Sequence, residues 1–155
     1  NKKLELQIKF MVKRNISFSH SSYEIVDDND KIKGLRTAEN YDSFFKLRNS
    51  CNIGLSTVIL KKTLLKKKFK FPKIKTKEDY VLWLKIIKSG TKIFGFKKKL
   101  VKWRKSKNSL SSSLFQKLKD GFKVYNYYLN YNFIKSIYFL LILSINYIKK
   151  SIINS

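Results

Sequence analysis

Residues 53–60 read IGLSTVIL, a β-branched run with few polar side chains. A strand of that composition needs cover on both faces, as inside an α/β layer rather than on a solvated sheet. The segments before it fit that demand. Leu4, Ile8, Met11 and Val12 recur at helical spacing, with Asn15 as a stop. Ile16, Phe18, His20 and Ser22 alternate with small polar residues and predict a strand running on to Val26. DDNDK at 27–31 is turn chemistry, and Ile32 to Arg36 returns as its hairpin partner.

The rest of the chain alternates in the same way. A short helix is expected around Tyr41 to Leu47, then the buried strand, then a brief helix in KKTLLKKKF closed by Phe71-Pro72. Thr76 is a good N-cap for a helix that puts Tyr80, Trp83, Leu84 and Ile87 on one face and ends at Gly90. Lys92 to Phe96 and Leu100 to Trp103 read as short strands, NSLSSS as a loop, and Ser113 to Tyr128 as a long amphipathic helix. The expected fold class is α/β, a mixed sheet flanked by helices, with an apolar helical tail at residues 131–155. Within Phe133 to Ile148 the uninterrupted apolar core, Ile137 to Leu143, falls far short of the ~20 residues of a membrane span. Flanked by Lys135, Lys149 and Lys150, the tail suits a membrane surface or a partner.

At 155 residues, length allows one domain with one core. Lysine and arginine total 35 against 10 acids, a net charge of +25, which first suggests a polyanion. Only Arg14, Arg36, Arg48 and Arg104 are arginine, the side chain suited to bidentate reading of phosphates and guanines. The lysine excess therefore reads as solvated faces, and no specific nucleic acid is expected as partner. A non-catalytic, lysine-rich binder of nucleic acid or acidic lipid is the alternative class, separable by the steep salt dependence such binding has. Cys51 is alone, so an intrachain disulfide is excluded and a reducing compartment expected. With one Cys and one His, a Cys/His zinc site is excluded and a histidine-based triad is unsupported; His20 reads as a half-buried strand residue. The opening NKKLELQIKF is charged throughout, unlike a signal peptide.

Two acidic motifs bear on chemistry. Asp28-Asn29-Asp30 has the oxygen ligands a divalent ion on a diphosphate needs, but it occupies a hairpin tip, where Asp and Asn serve the turn. Glu78-Asp79 stands at a helix start. Thr76-Lys77-Glu78-Asp79 approximates a capping box, with Asp79 reaching back to the Thr76 amide. The same place suits a general base, since a carboxylate at a helix N-terminus is expected to stay ionised and accept a proton from a bound hydroxyl. Spacing leaves both roles open.

Four stretches taken in order resemble the acceptor-side part of family 2 glycosyltransferases of the GT-A type. They are FSHSSYEIVDDNDK, NIGLSTVILKK, FPKIKTKEDYVLWLKIIKSGTKIFGF and LVKWRKSKNSLSS with its following helix, over roughly residues 4 to 130. The resemblance implies that residues 1–130 are the C-terminal portion of such a domain, without the N-terminal nucleotide-binding half. It implies that Asp79 is the general base of an inverting transfer and Glu78 its acidic neighbour. Ser56 and Thr57 would border the acceptor pocket, with Trp83 on the helix face beneath. Arg104, Ser109 and Ser111 match a loop near the donor phosphates, where Trp103 replaces the usual tyrosine and Ser106 a common histidine. The implied partners are a nucleotide-sugar donor and a glycan acceptor of cell-surface polysaccharide synthesis. The implied cofactor is a divalent metal, Mg or Mn, with ligands outside this sequence. The implied place is cytoplasmic, peripheral at the inner face of a bacterial membrane.

Overall fold

The computed structural model describes residues 2–65, 69–106 and 113–153. It is a mixed α/β fold around a four-stranded sheet whose centre is β1 (Phe18–Val26). β2 (Ile32–Arg36) folds back on β1 as the expected hairpin, antiparallel from Tyr23↔Arg36 to Val26↔Ile32. β3 (Val58–Leu60) pairs antiparallel with Phe18 to His20 at the other end of β1. β4 (Phe94–Arg104) runs parallel to β1 along its whole opposite edge, from Ser19↔Phe94 to Val26↔Arg104.

Helices cover both faces. On one, α1 (Lys2–Lys13) buries Gln7 and Met11, and Gln7 Nε2 donates to Ser19 Oγ (2.9 Å) and to the Thr57 carbonyl (3.0 Å). Phe10 stacks on Phe96 at 4.6 Å, fastening α1 to β4. α1 leaves Leu4, Ile8 and Val12 exposed on its outer side. On the other face, α3 (Glu78–Lys88) packs Trp83 edge-on against Phe18, centroids 4.9 Å apart. Behind it stand α2 (Phe44–Asn49), α4 (Leu114–Lys123) and α5 (Phe133–Ile153). β1 is thus buried on both faces, and the small side chains of Ser19, Ser21 and Ser22 let the helices approach closely.

Several expectations need correction. IGLSTVIL is not a buried strand: Leu55–Thr57 form a 3₁₀ turn and only Val58–Leu60 pair, half-buried. Gly54 and the Thr57 hydroxyl, which donates to the Gly54 carbonyl at 2.6 Å, favour the turn over extension. The doubly covered strand is β1 instead. KKTLLKKKF holds a 3₁₀ turn, Lys62–Leu64. The two short strands after Gly90 are one, β4, with register shifts opposite Ser21–Tyr23 that absorb the lysine-rich middle. The helix from Ser113 widens into a π-helical turn at Val124–Tyr128 and does not run through as one α-helix.

α3 is more than one-sided. Tyr80 to Leu84, Ile86 and Ile87 are all buried, because α2, α4 and α5 cover the side that the sheet does not. The hydroxyls of Tyr80 (2.6 Å) and Tyr125 (2.9 Å) both donate to the Arg48 carbonyl at the end of α2. The Arg48 guanidinium in turn lies 3.7 Å from the centre of the Phe139 ring of α5. Phe139 and Leu143 join the same core, so α5 shares packing with the elements before it. Among the described residues, no helix is long and apolar enough to cross a membrane.

One glycine is dictated by space. A Cβ at Gly95 would lie 2.7 Å from the Ala38 carbonyl carbon and 2.8 Å from Glu39 backbone atoms. Neither can yield without moving β4 off the 38–39 segment, so Gly95→Ala should cost about 1–3 kcal/mol or more in chemical denaturation. Gly121→Ala is the control: its new methyl would meet the movable tip of Leu140, at 2.7 Å, and should cost less.

Candidate active site

The site forms where α3 begins. Lys77 precedes the helix with a left-handed φ of 65°, unusual for a residue with a Cβ, and offers no side-chain cap. The expected capping box is absent. Thr76 directs both its amide and its hydroxyl to Asp120 Oδ2 of α4, each at 2.9 Å, and Gln116 Nε2 donates to the same oxygen at 2.8 Å. Burial alone would raise the Asp120 pKa, but the hydrogen bonds from Gln116 and Thr76 win and hold it below the ordinary value. An interior carboxylate thus takes the two groups that a local box would have used. Asp120→Ala should leave the Thr76 amide and hydroxyl buried without a partner. The expected loss is about 2–4 kcal/mol, read as a lower denaturation midpoint, with Thr76→Ala costing less.

Freed from the box, Asp79 turns to its own helix, Oδ1 accepting from the Tyr80 amide at 2.7 Å. It was expected to be held ionised by the helix terminus. Burial instead pushes its pKa from 3.8 up to about 6; Glu78 adds to the rise, and the Tyr80 amide and Lys77 oppose it. At neutral pH the carboxylate is ionised yet a far stronger base than an exposed aspartate, close to the optimum for proton transfer in water.

Its surroundings come from four parts of the chain. Tyr23 of β1, Cys51 and Lys77 all sense the Asp79 charge, and Tyr147 of α5 acts on both Tyr23 and Lys77. Burial pushes the Tyr23 phenol up to about 12 and the Cys51 thiol up to about 12, so both stay protonated and neutral around pH 7. Burial also lowers the Lys77 pKa. α5 is pinned over this corner. Asn146 Nδ2 donates to the Asn49 carbonyl (3.0 Å), Lys150 pairs with Glu39 (2.8 Å), and Arg36 donates to the Lys150 carbonyl (3.2 Å).

The other expected residues divide. Ser56 is exposed on the 55–57 turn, whose neighbour Gly54 packs on the Tyr23 ring; a Cβ there would be 3.3 Å from Tyr23 Cε1. Tyr23 therefore links that turn to Asp79. Thr57 is fully buried, its hydroxyl and carbonyl both engaged within the fold. Trp83 is 1% exposed, in the core against Phe18, with its indole N–H unpartnered among the described residues. Glu78 is half-buried beside Asp79. Arg104 closes β4 opposite Val26 and makes an exposed 2.7 Å pair with Asp30 of the hairpin tip. Ser109 and Ser111 lie outside the described residues.

Metal donors do not converge. Among the described residues no three His, Cys, Asp or Glu side chains form a group that could hold an ion. At the hairpin tip Asp27 Oδ1 accepts the Asn29 (3.0 Å) and Lys31 (2.9 Å) amides, which confirms the turn reading of DDND. His20 is fully buried rather than half-buried, with Nε2 2.8 Å from the Glu39 carbonyl, and burial lowers its pKa to about 4.

Sequence reasoning missed Tyr23, Cys51, Lys77 and Tyr147. Lys77 adjoins the acidic pair and was within reach. Tyr147 carried no signal, because only the return of α5 brings it near residues far earlier in the chain.

Over 141 residues the chain is 40% identical to WfgD of Escherichia coli, a UDP-Glc:alpha-D-GlcNAc-diphosphoundecaprenol beta-1,3-glucosyltransferase, covering 90% of this chain and 54% of WfgD. It is 35% identical over 116 residues to WfaP of the same organism, which bears the same activity name, covering 75% of this chain and 45% of WfaP. TuaG of Bacillus subtilis, a glycosyltransferase named for teichuronic acid biosynthesis, is 28% identical over 150 residues, with 96% and 59% covered. No family model and no solved structure matches the chain. The chain spans about half the length of the curated relatives it matches. Over most of its own length it is a homologue of bacterial glycosyltransferases.

Proposed function

We propose that the chain is the acceptor-side part of an inverting, family 2-like glycosyltransferase of the GT-A type. The transfer would run from a nucleotide-sugar donor to a glycan acceptor in cell-surface polysaccharide synthesis. The half-buried, basic Asp79 carboxylate carries this reading, and similarity to WfgD and TuaG supports it. Asp79 takes the proton of an acceptor hydroxyl as that oxygen attacks the anomeric carbon of the donor. The new C–O bond forms as the bond to the nucleoside diphosphate breaks from the opposite side, inverting the centre. Glu78 positions Asp79 and raises its basicity, and Ser56 borders the acceptor.

Arg104 offsets charge on the departing diphosphate. Its present pair with Asp30 is exposed and therefore cheap to exchange, about 0–1 kcal/mol. Ser109 and Ser111 belong to the same proposal. A divalent Mg or Mn ion is proposed to serve the whole enzyme as a Lewis acid for that leaving group. Its ligands are proposed to lie outside this sequence. The exposed side of α1, with Leu4, Ile8 and Val12, would receive the donor-binding half. The names of WfgD and WfaP specify an acceptor sugar carried on a polyprenyl diphosphate, which supports a proposed peripheral location at the inner face of a bacterial membrane.

The test is a chimera in which this chain replaces the matching part of WfgD, assayed for sugar transfer from a nucleotide sugar across pH. The expected profile rises with pH through an apparent pKa of about 6, set by Asp79. A profile flat between pH 5 and 7 would remove the general-base assignment.

A further inference from the structure

Gln116, Lys119, Asp120 and Lys123 of α4, with Lys73 and Lys75 of the preceding loop, line an open cavity of about 440 Å³. Four of its side chains are ammonium groups. Its one acid, Asp120, is buried and spends Oδ2 on Thr76 and Gln116. Beside the cavity α4 exposes Leu114, Phe115 and Leu118, with Phe115 77% exposed. Phe122, one turn on from Leu118, meets Phe133 at 5.5 Å, where α5 begins. From there Ile134, Tyr138, Leu141, Ile145 and Ile148 recur on one side of α5, all exposed. From Ser113 to Ile153 the chain carries six lysines and the single acid Asp120.

An apolar strip rimmed by cations and a lysine-lined cavity complement an anionic bilayer, which offers hydrocarbon under a layer of phosphates. We propose that α4 and α5 lie on the membrane with this strip inserted, and that the Lys73–Lys75–Lys119–Lys123 cavity binds the phosphate of an anionic phospholipid headgroup. The cavity adjoins Thr76 and hence the start of α3, so lipid binding would hold Asp79 at a fixed height above the bilayer, where a lipid-carried acceptor sugar is presented. The proposal rests on the peripheral placement above but not on the transfer chemistry.

The full chain is sedimented with phosphatidylcholine vesicles containing or lacking phosphatidylglycerol. Wild type should bind only the anionic vesicles. The K73E/K119E pair and the F115S/L118S pair should each weaken that binding about tenfold or more, with the fold checked by circular dichroism. The K97E/K98E pair changes net charge equally on exposed β4 residues and should bind like wild type. Equal loss in both charge-reversed pairs would mean delocalised charge and overturn the headgroup site. Displacement by inorganic phosphate at constant ionic strength would also overturn it, in favour of a free phosphate ligand. Binding to both vesicle types, unmoved by K73E/K119E, would overturn the site and leave only apolar attachment. Failure to bind any vesicle would overturn the peripheral placement as well. No arm reads sugar transfer, so an inactive chimera that still binds anionic vesicles would refute the glycosyltransferase reading alone.

Discussion

Asp79→Asn should abolish transfer in the chimera while making the chain more stable at neutral pH. The amide keeps the shape of the side chain and still accepts the Tyr80 N–H, but it cannot take the acceptor proton. Loss of general-base help is worth about 10²–10⁴ in rate. The stability sign follows from the raised pKa. The folded chain holds the Asp79 proton more tightly than the unfolded chain, so ionisation costs the fold. That cost is absent below pH 3.8 and complete above about pH 6. The neutral variant escapes it and should gain about 1–3 kcal/mol at pH 7, the gain fading to nothing as pH falls toward 4. His20 works the other way: with its pKa lowered to about 4, it takes stability away as pH falls from 6.5. Because His20 is common to both proteins, the difference between them isolates Asp79. Denaturant titration of wild type and variant at several pH values measures it. A variant that turns over normally and is less stable than wild type would leave Asp79 as a helix cap.

Trp83→Ala should cost about 3–5 kcal/mol, a large part of what a domain of this size possesses. The indole sits between the sheet and the outer helices, 1% exposed and edge-to-face with Phe18, so its removal opens a large cavity in the core. Trp83→Phe separates packing from recognition. It keeps an aromatic ring on Phe18 and deletes an N–H that has no partner among the described residues, so it should cost less than about 1.5 kcal/mol. In the chimera the acceptor KM should be unchanged by Trp83→Phe. A raised KM with little loss of stability would mean that the indole reaches the acceptor after all.

The parts legible in advance are those decided within a few residues. The β1–β2 hairpin needs only the alternation into Val26 and the Asp27 side chain closing on Asn29 and Lys31. The end of α3 needs Gly90, whose φ of +93° few other residues adopt. Thr76 misled because its competitor, Asp120, is contributed by another helix. IGLSTVIL misled because Gly54 and Thr57 make a turn whose local hydrogen bond outweighs the β-propensity of the flanking isoleucines. In the site, Glu78 and Asp79 were visible as an unusual pair, whereas the basicity of Asp79 was not. That property is set by burial, in a corner where groups distant in sequence, Tyr23 and Cys51, sense its charge.

The ties of α5 have a consequence in time. They join Asn146 to Asn49, Lys150 to Glu39 and Lys150 to Arg36 across 97, 111 and 114 positions of chain. Closing loops of that length comes late in folding, and synthesis delivers α5 after the sheet and α3. A nascent chain therefore has its sheet, its α3 and its Asp79 before the helix that carries Tyr147 exists. A product cut short before Asn146 would keep Asp79 and its Tyr80 amide contact but lack the three ties that hold α5 to the 36–49 stretch.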